Sequence, residues 1–174
     1  MELNSRGKIK GYLSAWEIPA EFEDQDPEFL IENGLAKCVI ENHPNTICNL
    51  GFQTLAERMK GSGTYSSETF DYFAVSNGTV TPAASRTAAN FLADGANNYT
   101  KAVTTLETYG TGANMQQFTC YLTTAENTVA SITKFALMND DPATLMFCEI
   151  LFSAISKDSS KAIYFKYKLS FAEG

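Results

Sequence analysis

The residues best able to do chemistry are few and scattered. There is one histidine, His43, in a chain of 174 residues. It precedes Pro44 in a turn-like stretch, and no second imidazole exists to share a zinc ion with it. Nucleophilic catalysis by serine or cysteine needs a neighbouring base held by a third group. The G-x-S-x-G elbow does not occur, nor does a Walker-type phosphate loop or a dinucleotide fingerprint. Cys38, Cys48, Cys120 and Cys148 form no C-x-x-C pair, and three of them fall within or beside apolar strand patterns. They read as buried, reduced thiols of a protein made in a cytoplasm. The acidic cluster Glu21, Glu23, Asp24, Asp26 and Glu28 lacks the central glycine and closing glutamate of an EF-hand loop, and reads as a solvated loop. Asp140 and Asp141 stand in a turn, where aspartate accepts from nearby backbone. A carboxylate pair for glycoside hydrolysis stays open, because separation in space is not encoded in spacing. Lys10, Tyr12 and Trp16 share one face of an alternating segment. They are the candidate interaction residues, as a ligand platform or as a contact with a neighbouring subunit. No catalytic, cofactor or metal residue is assigned, and the expectation is a protein without enzymatic activity.

Composition narrows the partners. The formal charge of −7 argues against a general nucleic-acid binder, which needs a basic face to replace phosphate counterions. No apolar run approaches the length that crosses a bilayer. The segment MELNSRGKIKGY has no apolar h-region, so no signal peptide is expected, and the sequons at Asn77 and Asn98 read as chance matches. With 12 Phe and 8 Tyr, the aromatic content favours packed strands over disorder.

These residues need a frame, and the chain supplies one helix and many strands. In Asn49–Lys60 (NLGFQTLAERMK), Phe52, Leu55, Ala56 and Met59 recur at helical spacing, with Asn49 as N-cap and Gly61 as stop. Phe52, Leu55 and Met59 are expected to be buried. Lys8–Ile18 alternates and is closed by Pro19, and Asn33-Gly34 leads into a second strand at Leu35–Glu41. These two are expected to pair as a hairpin with a long insertion at its tip. Further strands are expected at Phe70–Ser76, Tyr99–Tyr109, Gln116–Thr123, Thr128–Met138, Thr144–Ile155 and Ala162–Phe171. In the last of these, Ile163, Phe165, Tyr167, Leu169 and Phe171 share the inner face. Alanine at Phe165 or Phe171 is therefore expected to cost about 3–5 kcal/mol. The fold class is mainly β: an antiparallel, jelly-roll-like β-sandwich with one short α-helix near residues 50–60. Residues 1–45 form a strand pair with an acidic loop and are expected to act as a docking arm on a sandwich domain at 46–174.

The order of features also resembles a known family. A helix start at Asn49-Leu50-Gly51 is followed by Ala74-Val75-Ser76-Asn77-Gly78-Thr79 and the loop Thr81-Pro82-Ala83-Ala84-Ser85. Then come Thr144-Leu145-Met146-Phe147, Ile155-Ser156-Lys157-Asp158-Ser159-Ser160 and a final alternating strand to Phe171. Over roughly Thr46–Phe171 this is similar to small structural proteins of tailed bacteriophages, of the head-decoration, head-fibre and tail-associated types. Phe52 stands where that family usually has arginine, and Tyr167 where it usually has tryptophan. The resemblance implies a virion component made in the host bacterial cytoplasm, with no catalytic residues to carry over. Its expected partners are copies of itself and capsid, portal or tail subunits, without nucleic acid or membrane. A carbohydrate-binding module and a carboxylate-pair hydrolase are the alternatives.

Overall fold

The computed structural model describes residues 8–109, 115–126, 129–140 and 144–172. In chain order these form β1 (Lys8–Pro19), a single 3-10 turn (Ala20–Phe22), α1 (Pro27–Glu32), β2 (Lys37–Pro44), β3 (Thr46–Ile47) and α2 (Asn49–Lys60). There follow β4 (Tyr72–Ser76), α3 (Ala88–Leu92), β5 (Asn98–Ala102), β6 (Thr105–Tyr109), β7 (Met115–Leu122), β8 (Ser131–Met138), β9 (Met146–Ser156) and β10 (Lys161–Ala172). The strands make two five-stranded sheets with orders β2-β1-β10-β7-β6 and β3-β9-β8-β4-β5. Every pairing is antiparallel. The expected antiparallel sandwich is what the chain forms.

Alternation explains how the sheets face each other. Leu13 and Ala15 of β1, Phe118 and Cys120 of β7, and Phe165 and Tyr167 of β10 point inward from the first sheet. Phe73 and Val75 of β4, Phe135 and Leu137 of β8, and Phe147 and Ile150 of β9 meet them from the second. Phe135 is the centre of this layer. Its ring stands edge-on to Phe73 at 4.6 Å and reaches across the sandwich to Phe165 at 6.0 Å and Tyr167 at 5.8 Å. In β8 the pairing with β9 shifts between Ile132 and Lys134, which lets both Ile132 and Phe135 enter the core despite their odd spacing.

Several expectations need correction. The N-terminal strand is no detachable arm. β1 lies between β2 and β10, pairs with β10 along its whole length, and contributes Leu13 and Ala15 to the common core. The expected boundary at residue 45 therefore separates nothing, although the β1–β2 hairpin with its long insertion is present. The single strand expected at Tyr99–Tyr109 is two strands in opposite sheets. The chain crosses between them at Val103 and Thr104, whose amides donate to Asp71 O at 2.7 Å and Thr119 O at 2.8 Å. Phe171 sits near the end of β10 and is 39% exposed, so it lies outside the core that holds Phe165. Cys38 is exposed on the edge strand β2, while the other three thiols are buried.

The helix keeps its expected span but turns a different face inward. Phe52 is 46% exposed and Met59 90%, whereas Gly51 and Thr54 are buried. Size decides this, not hydropathy. A Cβ at Gly51 would lie 2.5 Å from Phe147 O, so only glycine lets the helix backbone rest on β9. Thr54 Oγ1 donates to Leu50 O at 2.8 Å, which satisfies its hydroxyl inside the helix and allows burial. Cys48, not Asn49, is the N-cap, with no side-chain bond to the first turn. Gly61 ends the helix in the left-handed conformation.

Core position thus separates two phenylalanines on one strand. Phe135→Ala and Phe165→Ala should each lower unfolding free energy by about 3–5 kcal/mol. Phe171→Ala should cost below about 1 kcal/mol, in the range of surface substitutions. Urea titration followed by tyrosine fluorescence measures the difference, and equal losses at Phe165 and Phe171 would contradict the placement.

Candidate functional site

The outward face of the first sheet holds a broad concave surface. The register of β10, β7 and β6 builds its floor in rows. Lys168, Gln117 and Glu107 lie side by side across the three strands, and Lys166, Thr119 and Thr105 form the next row. Tyr164 and Tyr121 form a third. The segment from Glu23 to Glu32 makes the wall, because α1 and the 3-10 turn pack Leu30 on Ile18, Ala162 and Tyr164. Together they enclose a groove of about 730 Å³.

Three members of the acidic cluster, Glu23, Asp26 and Glu28, make separate bonds along this wall. Glu23 accepts from Thr124 N at 2.8 Å and from Thr124 Oγ1 at 2.5 Å, bonds that lower its pKa. Asp26 caps α1 by accepting from Glu28 N at 3.0 Å. Glu28 accepts from Tyr164 Oη at 2.8 Å and from Lys166 Nζ at 2.6 Å. On the floor, Thr105 and Thr119 share a 2.6 Å hydroxyl contact. Gln117 is 8% exposed, and its carboxamide makes no hydrogen bond to any described residue. Among the described residues no three His, Cys, Asp or Glu side chains are grouped to hold a metal ion.

The predicted interaction residues line two separate grooves. Lys10 and Tyr12 line a small groove with Ile9, Pro44, Ile47 and Phe52 at one end of the sandwich. Trp16 lies further along β1, 6.2 Å from the Tyr164 ring, with Lys166 Nζ 5.4 Å from its own ring centre. It borders a second groove with Ser14, Glu41, Asn42, Lys166 and Lys168. Lys166 and Lys168 line both this groove and the larger one. His43 is half-buried on β2 opposite Leu13.

A charged cluster on the outer face of the second sheet is a clamp. Lys134 and Glu149 are fully buried there and form an ion pair. Lys134 Nζ also donates to Asp94 Oδ2 at 2.6 Å and Val80 O at 2.9 Å. Arg86 donates to Glu149 Oε2 at 2.8 Å and to Asp94 Oδ2 at 3.2 Å. Burial raises the Asp94 pKa, but the Lys134 bond and the amides of Thr79 and Val80 outweigh it and leave it lowered. Two cations and two anions are thus matched under α3, whose Phe91 ring centre is 5.5 Å from Lys134 Nζ. They pin the loop between β4 and β5 to the sheet.

Beside β5, Glu126 accepts from Lys101 Nζ at 2.6 Å, Tyr99 Oη at 2.6 Å and Thr123 N at 2.8 Å. Burial opposes ionisation, yet these bonds bring its pKa to about 2. Nearby, burial lowers the pKa of Lys157, which is 2% exposed and donates to Asp158 O.

Compared with protein-family models, curated proteins and solved structures, the chain matches none.

Two outcomes follow from the charges. Lys134→Met leaves Glu149 and Asp94 with Arg86 alone, and should destabilise the fold by about 3–5 kcal/mol in urea titration. A loss below about 1 kcal/mol would show that the cluster is not holding the loop. Glu126 has a folded pKa near 2 against an ordinary 4.5. Its stabilisation is complete above the ordinary value and is lost as pH falls towards 2. Melting temperature should therefore drop across that window less steeply for Glu126→Gln than for the parent. Parallel pH profiles would contradict the assignment.

Proposed function

We propose that the chain is a non-enzymatic structural component of a tailed-phage virion, binding copies of itself and capsid or tail proteins. The observation that carries this reading is an edge strand that no other described strand covers. β6 ends the first sheet and pairs with β7 in regular register, without a bulge. Its sequence, TLETY, has one charge, no lysine and no proline. Monomeric β proteins blunt such edges with lysine, proline or bulges, because an open row of amides and carbonyls templates pairing with another chain. The opposite edge of the same sheet has those devices: β2 carries irregular register with β1, a left-handed Asn42 at φ 46° and Pro44.

Beside β6 the sandwich end is apolar. Leu106 is 59% exposed and Phe171 39%. With Leu55, Phe70, Phe118 and Leu169 they line a groove of about 330 Å³. An edge strand and an apolar groove side by side offer a neighbour both main-chain bonds and buried area, the two components of strand addition. The resemblance to phage structural proteins supplies the setting, and the acidic surface keeps the free chain soluble before assembly.

Leu106→Lys tests this directly, since it adds an edge charge at a position whose side chain is mostly exposed. The parent should form ordered oligomers in light scattering and electron micrographs at high concentration. Leu106→Lys should remain monomeric with an unchanged melting temperature. A parent that is monomeric throughout, or a variant that assembles equally well, would overturn the reading.

A further inference from the structure

We propose that the strand added along β6 is β6 of a second copy, paired antiparallel about a two-fold axis at Leu106; this rests on the strand-addition reading above and names its partner. The other strands that end the two sheets are poorer mates. β3 has two residues. β2 has irregular register with β1 and carries Pro44. β5 carries Lys101, an edge cation held 2.6 Å from Glu126, and its side chains from Asn98 to Lys101 are half-buried. On β6 the side chains of Thr105, Leu106, Glu107 and Thr108 are all exposed.

Side-chain chemistry selects the register. Two copies of one strand related by a two-fold axis place one residue opposite itself at the axis. An axis at Glu107 overlaps the whole of β6 but sets two carboxylates directly opposite each other, which is destabilising. An axis at Thr105 sets Glu107 opposite Val103, where the chain leaves for the second sheet. An axis at Thr108 sets Leu106 opposite residue 110, past the end of β6. An axis at Leu106 sets leucine against leucine, Glu107 against Thr105 and Thr108 against Thr104. Thr104 is still beside β7, since its amide donates to Thr119 O at 2.8 Å. In this register each carboxylate meets a hydroxyl, and the two leucines, 59% exposed in the single chain, bury each other. Leu106 shares its sheet face with Phe118, its partner on β7. The axis is perpendicular to the sheet, so both leucines lie on that face, and the apolar grooves lined by Leu106 and Phe171 meet across it. Such a contact is isologous and closes at two. The assembling unit is therefore a dimer whose first sheets are continuous, five strands from each copy.

The test is disulfide trapping in the full chain, with Cys38→Ser removing the exposed native thiol. Thr104→Cys and Thr108→Cys, both at exposed positions, are mixed in equal amounts with oxidised glutathione, and mass spectrometry reads which chains are joined. The mixed disulfide should exceed the Thr108→Cys self-disulfide about tenfold, because residues 108 of the two copies lie ~13 Å apart along the strands, beyond disulfide reach. Adding Leu106→Lys to both should abolish the mixed disulfide, since two ammonium groups then face each other. Mixed and self-disulfides in statistical proportion, or a mixed disulfide that survives Leu106→Lys, would overturn the pairing. If the parent assembles in light scattering but neither disulfide forms, another strand occupies β6, and the pairing is wrong while strand addition stands. A parent that is monomeric throughout removes both.

Discussion

The meeting of Phe135 with Phe165 and Tyr167 is the contact on which the sandwich depends. These rings come from different sheets, and Phe73 braces the central one from the side. Aromatic pairs in this geometry contribute beyond the area they bury. With the rings locked, each strand must turn its remaining side chains outward in a fixed register. The Tyr167 hydroxyl shows how tightly this is set. It accepts from Asn45 Nδ2 at 2.6 Å, while Asn45 Oδ1 accepts from Gly11 N at 3.1 Å. A Cβ at Gly11 would fall 2.0 Å from that hydroxyl, so this position must be glycine. The core thereby ties the first strand, the β2–β3 connection and the last strand into one body.

From that core the functional surfaces follow by parity. Inward positions of β7 and β10 fill the aromatic layer, and their outward neighbours become the polar floor of the groove. The same register leaves β6 as the last strand of the sheet, with Leu106 and Phe171 beside its open side. One end is therefore suited to a protein neighbour. It does not use the charged cluster at Lys134, whose members are consumed in holding the loop before β5.

How much of this was legible in the chain depended on the physical rule involved. Strand alternation is local, so the inward set Ile163, Phe165, Tyr167 and Leu169 read correctly. Gly61 also read correctly, since a left-handed stop is local. Helix α2 failed on its face because helical spacing marks Phe52 and Met59, while close approach at Gly51 decides the docking. The crossing at Val103–Thr104 was hidden inside a continuous strand-like run with no proline or glycine to mark it. The groove was half visible. Gln117, Thr119 and Tyr121 already stood together on one strand face, and Tyr164, Lys166 and Lys168 on another. Only the pairing of β7 with β10 and β6 showed that they share one floor. Trp16, the most conspicuous single residue, lies beside that floor and is partly covered by Tyr164.

The central claim is that this sandwich works by adding a neighbour along β6. An electron-microscopic map of the assembly formed by the full chain tests it most directly. The account predicts a strand of an adjacent subunit hydrogen-bonded to Thr105–Tyr109, with its apolar side chains over Leu106 and Phe171. An assembly in which β6 faces solvent, or in which subunits meet through other surfaces alone, would contradict it.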